Sequence, residues 1–426
     1  MAVFTNEREY VNTLTPRSEL PEGFRVSTTR LSFVPSERAS AEPSAMNLAL
    51  ILADEPTDAF GGAFTSNRVQ GAPVVIARER MARQTIQAVL VNNKVANVCA
   101  PTGEADALAL TDALGRQLGI SGEDCLTAST GVIGWSLPRP QMTEAFPKLE
   151  QGLHRGSSVD VARAIMTTDA FPKVRDAAVG SGRIVGIAKG AGMVEPNLGT
   201  MLVFILTDVD VERAKLRSAL GQAVERSFNA ITIDGDQSTS DMVLALSSRR
   251  RSAPDREEFA AGLERVCAAL AADIVRNGEG TSHVMRITVS GASEPATARA
   301  VGKAIANSPL VKTAIYGNDP NVGRIVSAVG DYAGNAGLPV DIGAVRVTVG
   351  DETVFENGAF VLDSEKETRL MRYLAAAAME PAACGFPEHE RDVAIGVTLG
   401  SGPAGAEVLG TDLSDEYVRE NADYRT

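Results

Sequence analysis

Histidine is scarce in this 426-residue chain: His154, His283 and His389 are the only three. None stands in a paired-ligand spacing such as H-E-x-x-H, so a histidine base or a histidine-held metal has no support. Cysteine is almost as rare. Cys99, Cys125, Cys267 and Cys384 form no C-x-x-C pair, which removes the usual ligands of zinc and thioredoxin chemistry. The expectation is buried free thiols in a reducing cytoplasm. Long apolar runs are absent too. Runs such as residues 46–53 and 201–206 fall far short of the ~20 that a membrane span needs. The opening MAVFTNEREY lacks the basic start and apolar stretch of a secretory signal. Cationic surplus is missing as well: 41 Lys and Arg against 54 Asp and Glu leave a net charge of −13, which repels phosphate backbones and argues against a nucleic-acid partner.

What is present is an ordinary folded composition, 44% hydrophobic and 22% charged. The length exceeds the usual ~100–200 residues per domain. The chain is organised around Lys189-Gly-Ala-Gly-Met193-Val-Glu195-Pro-Asn-Leu-Gly199-Thr200 and the apolar run at 201–206. A short run rich in branched residues reads as a buried strand. Thr200 thus stands where a glycine-bearing loop meets a rigid element, a good place to fix a reactive group. A cut between Gly199 and Thr200 would give Thr200 a free α-amine beside its own hydroxyl, a nucleophile and base in one residue.

Along the chain, residues 1–45 read as an arm and loop punctuated by Pro16, Pro21, Pro35 and Pro43. Residues 46–53 read as the first core strand, 72–76 as a short strand or extended segment, and 86–91 as another strand. Apolar spacing predicts helices over 104–118, 158–165 and 209–227. The segments 283–290 and 344–349 alternate apolar and polar, as strands with one solvated face do. The fold class is mixed α/β, with sheets of paired strands layered with helices. Arg249-Arg-Arg-Ser-Ala-Pro254 reads as a solvated loop. Gly400-Ser-Gly402-Pro-Ala-Gly405 reads as a hairpin turn and not a dinucleotide loop, because about 20 residues beyond it are too few for such a unit. Asp234-Gly-Asp236 lacks the glycine and terminal glutamate of a calcium loop, so no metal is expected. Trp135 suits a pocket wall and core packing equally.

Several blocks, taken in order, resemble the ornithine acetyltransferase (glutamate N-acetyltransferase) family. They are Phe64-Thr-Ser-Asn-Arg68, Ser129-Thr-Gly-Val-Ile-Gly134, Met166-Thr-Thr-Asp169 with Pro172-Lys173, Lys189 to Thr207, and Ser227-Phe-Asn with Asp234-Gly-Asp236. Gly278-Glu-Gly280, Gly317-Asn-Asp-Pro-Asn321 with Gly323-Arg324, and Asn421-Ala-Asp-Tyr-Arg-Thr426 complete the set.

The resemblance implies a two-domain fold with an N-terminal nucleophile. It implies self-cleavage between Gly199 and Thr200 into segments 1–199 and 200–426 that stay associated, as heterodimers that pair into larger oligomers. It further implies that Thr200 takes an acetyl group from N2-acetyl-L-ornithine and passes it to L-glutamate in ping-pong fashion, with no cofactor. Thr130 and Gly131 match the oxyanion hole, and Thr168, Lys189, Thr200, Glu279, Asn421 and Thr426 match substrate-binding positions. Charge complementarity suggests Lys189 for a substrate carboxylate and Glu279 for the ornithine side-chain amine.

The chain departs from the family pattern at Ala191, Ser240, Met242 and Val322, and in Asn92-Asn-Lys-Val-Ala-Asn97, which lacks the family's glycine. These departures bear on pocket polarity and volume. They leave open a related acyltransferase or an amide hydrolase with another substrate, and, from a different class, a binding protein that keeps the fold.

Overall fold

A computed structural model describes residues 7–38, 42–195, 201–253, 255–379 and 391–423. The chain opens with α1 (Glu7–Leu14), β1 (Phe24–Phe33), β2 (Ser44–Thr57), β3 (Phe60–Phe64), α2 (Ala72–Arg80), β4 (Ile86–Asn92), α3 (Gly103–Leu118), β5 (Cys125–Ser129), α4 (Arg139–Gln151) and α5 (Val159–Ala164). β6 (Lys173–Val179), β7 (Gly182–Lys189), β8 (Leu202–Val209), α6 (Arg213–Arg226), β9 (Ile231–Thr232), β10 (Met242–Arg251) and α7 (Arg256–Arg276) follow.

Two sheets face each other, one ordered β1-β2-β4-β5 and the other β3-β10-β8-β7-β6. Every residue of β8 is buried, and the reason is two-sided packing. Leu202, Phe204 and Leu206 join Ala49, Ile51, Val89 and Val91 of the facing sheet in one core. Val203, Ile205 and Val209 point the other way into a second core with Leu216 and Leu220 of α6 and Leu263 and Val266 of α7. The outer face of the first sheet is covered by Leu110 and Leu114 of α3 and Phe146 and Leu149 of α4. The order of layers is therefore helix, sheet, sheet, helix.

The remainder is β11 (Val284–Ala292), α8 (Pro295–Asn307), α9 (Pro309–Tyr316), α10 (Val322–Ala336), β12 (Arg346–Val349), β13 (Glu352–Glu356), β14 (Ala359–Phe360), α11 (Ser364–Ala377), β15 (Val393–Thr398), β16 (Ala404–Thr411) and α12 (Asp415–Asp423). It adds a third sheet, β14-β13-β12-β15-β11-β16-β9, with its own core. β11 alternates buried and exposed residues in its middle, matching the one solvated face expected of it. Among the described residues no helix is long and apolar enough to cross a membrane.

Five sequence expectations need correction. Residues 1–45 are more than arm and loop: α1 is helical and β1 pairs along β2 from Phe24↔Ala53 to Phe33↔Ser44. Residues 72–76 open a helix, with Pro73 in its first turn, where the missing N–H costs nothing. Arg249, Arg250 and Arg251 end β10, with Arg249 paired to Asp58 and Asp210 and Arg251 to Glu22. β15 and β16 are not a hairpin, because β11 lies between them, parallel to β15 and antiparallel to β16. Cys99 is exposed, whereas Cys125 and Cys267 are buried. Trp135 packs in the core beneath α3 and α4.

Candidate active site

Strand register brings the candidate residues to one end of the facing sheets. Lys189 pairs with Leu202 and Leu202 with Met242, so the end of β7 and the starts of β8 and β10 lie side by side. The loop after β5 runs past them. Thr130 N donates to Asn92 O at 3.1 Å and Val132 N to Lys94 O at 3.0 Å. Gly131 sits between these bonds, and its N–H makes no backbone hydrogen bond among the described residues. Gly131 has φ +128°, and a Cβ there would lie 2.2–2.6 Å from Lys94 backbone atoms. Only glycine fits this position.

Lys189 and Thr130 are both buried, and Lys189 Nζ donates to Thr130 Oγ1 at 3.3 Å. Burial lowers the Lys189 pKa, opposed by the negative charge of Asp169. The Thr130 oxygen accepts this bond, which leaves its own O–H proton to donate elsewhere.

Beneath them lies a buried ion pair between two residues of one family block, whose contact no spacing in the chain reveals. Lys173 Nζ reaches Asp169 Oδ1 at 2.6 Å and Asn277 Oδ1 at 2.5 Å, and both charged side chains are fully buried. Asp169 also accepts Gly190 N at 2.7 Å and Thr167 N at 3.1 Å. Burial pushes the Asp169 pKa up, but Lys173, Lys189 and the Gly190 N–H outweigh it and hold the carboxyl well below the usual range. The pair thereby fixes the turn that follows Lys189. Asp169→Asn leaves the Lys173 charge buried without its counter-ion, and the expected loss of stability is about 3–5 kcal/mol, read from denaturant midpoints. The depressed pKa also sets a sign. Stability from this carboxylate is complete above about pH 3.9, the unfolded aspartate value, and drains as pH falls toward the folded value. The Asn variant should lack that part of the acid dependence.

The next turn is held by Asp234, which accepts Met193 N at 2.6 Å and Val194 N at 2.8 Å. Both carboxylate oxygens of Asp234 are thus committed to the backbone of the organising stretch. Glu279, half-buried after α7, donates its N–H to Ala191 O at 2.9 Å, and its carboxylate packs against Gly192, where a Cβ would fall within 2.3–2.5 Å. Asn421 Nδ2 of α12 donates to Glu279 Oε2 at 2.9 Å. Lys189, Thr130, Gly131, Glu279 and Asn421 therefore gather around one stretch. Thr168 is exposed, and its neighbour Asp169 is the residue turned inward. Gly199, Thr200 and Thr426 lie outside the described residues. The side chains at two departures from the family pattern are packed in apolar cores: Met242 between the facing sheets and Val322 in the third core.

A profile of the ArgJ family matches residues 36–426. The arginine biosynthesis bifunctional protein ArgJ of Nitratidesulfovibrio vulgaris is 41% identical over 419 residues, covering 96% of this chain and 100% of that protein. Its counterpart in Thermosynechococcus vestitus is 41% identical over 404 residues, covering 91% and 94%. A crystallographic chain of the bifunctional protein from Bacillus halodurans is 33% identical, with a TM-score of 0.46, and covers 52% of this chain and 98% of that one.

Proposed function

The chain belongs to the ArgJ family, and from that membership and the site we propose that it is a self-cleaving N-acetyltransferase. It cuts itself between Gly199 and Thr200, and segments 1–199 and 200–426 remain together. The new Thr200 then moves an acetyl group from N2-acetyl-L-ornithine to L-glutamate in the cytoplasm. The two segments act as a heterodimer that pairs with further copies.

The observation that carries this reading is the hydrogen bond from Lys189 to Thr130, beside Gly131, at the strand end that starts with Met201. In the first half-reaction the Thr200 α-amine takes the proton from Oγ1. A free α-amine has a pKa of ~7.7–8.0, which suits a base near neutral pH. Oγ1 adds to the acetyl carbonyl, and the oxyanion is met by the Gly131 N–H and the Thr130 hydroxyl. Lys189 strengthens Thr130 as a donor by holding its oxygen, with protons left for a substrate carboxylate. The ammonium returns its proton to the departing ornithine nitrogen, leaving acetyl-Thr200. Attack by the glutamate amine reverses these steps, so the kinetics are ping-pong. No step calls for a cofactor.

Purified protein supplied with N-acetylornithine should release ornithine continuously only when glutamate is present. Equally fast release in water alone would make the protein a hydrolase. Glu279 provides the charge for the ornithine side-chain ammonium. Glu279→Gln should raise KM for N-acetylornithine about 10- to 100-fold, the worth of one charge-assisted hydrogen bond. An unchanged KM would remove that assignment.

A further inference from the structure

The α-amine of Thr200 cannot be the base for the reaction that creates it. In the intact chain that nitrogen belongs to the amide linking Gly199 to Thr200, and an amide nitrogen takes no proton near neutral pH. The first step of self-cleavage therefore needs a different proton acceptor, which a side chain can supply. Asp169 is committed to Lys173, Gly190 N and Thr167 N. Lys189 is a donor to Thr130. Asp234 is committed to the backbone of Met193 and Val194.

Asp241 differs from all of these. Its side chain is fully buried at the start of β10. Oδ1 accepts the Met201 N–H at 2.9 Å, whereas Oδ2 is buried without a hydrogen-bond partner among the described residues. The neighbouring Thr65 hydroxyl gives its proton to Ser238 O at 2.6 Å. A buried carboxylate oxygen without a donor is costly, and such groups concentrate where chemistry uses them. The nitrogen that Oδ1 holds is bonded to the carbonyl carbon of Thr200, so the carboxyl is fixed one peptide bond from that residue.

We propose that Asp241 accepts the Thr200 hydroxyl proton during self-cleavage, an assignment that rests on the chain cutting itself before Thr200. Asp241 Oδ2 takes the proton from Thr200 Oγ1, and Oγ1 adds to the Gly199 carbonyl carbon. The carbon–nitrogen bond breaks as Asp241 returns the proton to the departing nitrogen. This leaves an ester at Oγ1 and a free amine. Water then hydrolyses the ester to a Gly199 carboxylate and the Thr200 hydroxyl. Burial holds the Asp241 pKa well above the usual carboxylate value, countered by the Met201 N–H and the charge of Lys189. Lys189 is the charged group facing it from β7. Such a carboxyl binds a proton tightly enough to take one and lets it go again.

The test is timed denaturing mass spectrometry of full-length wild type, Asp241→Asn and Asp241→Glu across a pH series, with hydroxylamine to capture any ester and circular dichroism to monitor the fold. Wild-type cleavage should quicken with rising pH until the carboxyl is ionised. Asp241→Asn should cut at least about 100-fold more slowly, lose that pH limb and yield no hydroxylamine-sensitive ester while keeping its fold. Asp241→Glu should recover part of the rate. An Asn variant that cuts at the wild-type rate with the wild-type pH profile overturns the proposal. So does a loss of cleavage in both variants that follows only from loss of fold. A wild-type chain that stays whole defeats the parent reading of Thr200, a result distinct from either.

Discussion

Thr200→Ala is expected to purify as a single full-length chain with no measurable acetyl transfer. Two losses coincide in this variant. Without the hydroxyl there is no atom to attack the Gly199 carbonyl, so the peptide bond stays closed. Without cleavage there is no α-amine, so the base for transfer never forms. Loss of a nucleophile in comparable acyl-transfer enzymes costs on the order of 10⁶-fold, and an effect near that size is expected. Thr200→Ser keeps an attacking oxygen and should cut and transfer at a reduced rate. Gel electrophoresis and an ornithine-release assay check both, and a Thr200→Ala chain that divides or transfers acetyl groups would contradict the assignment.

Gly131→Ala carries the second large effect. The added methyl would lie 2.2 Å from the Lys94 carbonyl carbon and 2.4 Å from its oxygen. These are backbone atoms that cannot swing aside, and φ +128° is unfavourable for any side chain. The loop must move, and the Gly131 N–H moves with it. Loss of one oxyanion donor costs about 10²–10³ in kcat, with little change in KM, because the donor meets charge that develops after binding. The strained backbone should also lower stability by about 1–3 kcal/mol. A variant with normal kcat would place the oxyanion elsewhere.

The residues that the sequence made legible are those whose neighbours in the chain are also neighbours in space. β8 was readable because burial on both faces leaves a continuous apolar run, Met201 to Leu206. Gly131 and Thr130 were readable as a block through family resemblance. The contacts between blocks were not. Nothing in the spacing of Thr130 and Lys189 shows that β5 and β7 end together, and nothing in Asp169 and Lys173 shows that their charges are buried side by side. β1 was missed because its apolar residues change face midway: Phe24 and Val26 join the core between the sheets, whereas Leu31 and Phe33 join the core under α3 and α4, so no single alternation runs through it. The segment 72–76 was misread because its branched residues favour strands, while Pro73 equally suits a helix start. The turn at Gly400 to Gly405 was misread because strands adjacent in sequence need not be adjacent in a sheet. Here β11 occupies the place between them.

Denaturing mass spectrometry of wild-type protein mixed with N-acetylornithine, without glutamate, and quenched in acid tests the central claim most directly. The account predicts two fragments, the second beginning at Thr200 and heavier by one acetyl group, with the added mass lost when glutamate is supplied before the quench. An undivided chain, or an acetyl group carried by any residue other than Thr200, would contradict it.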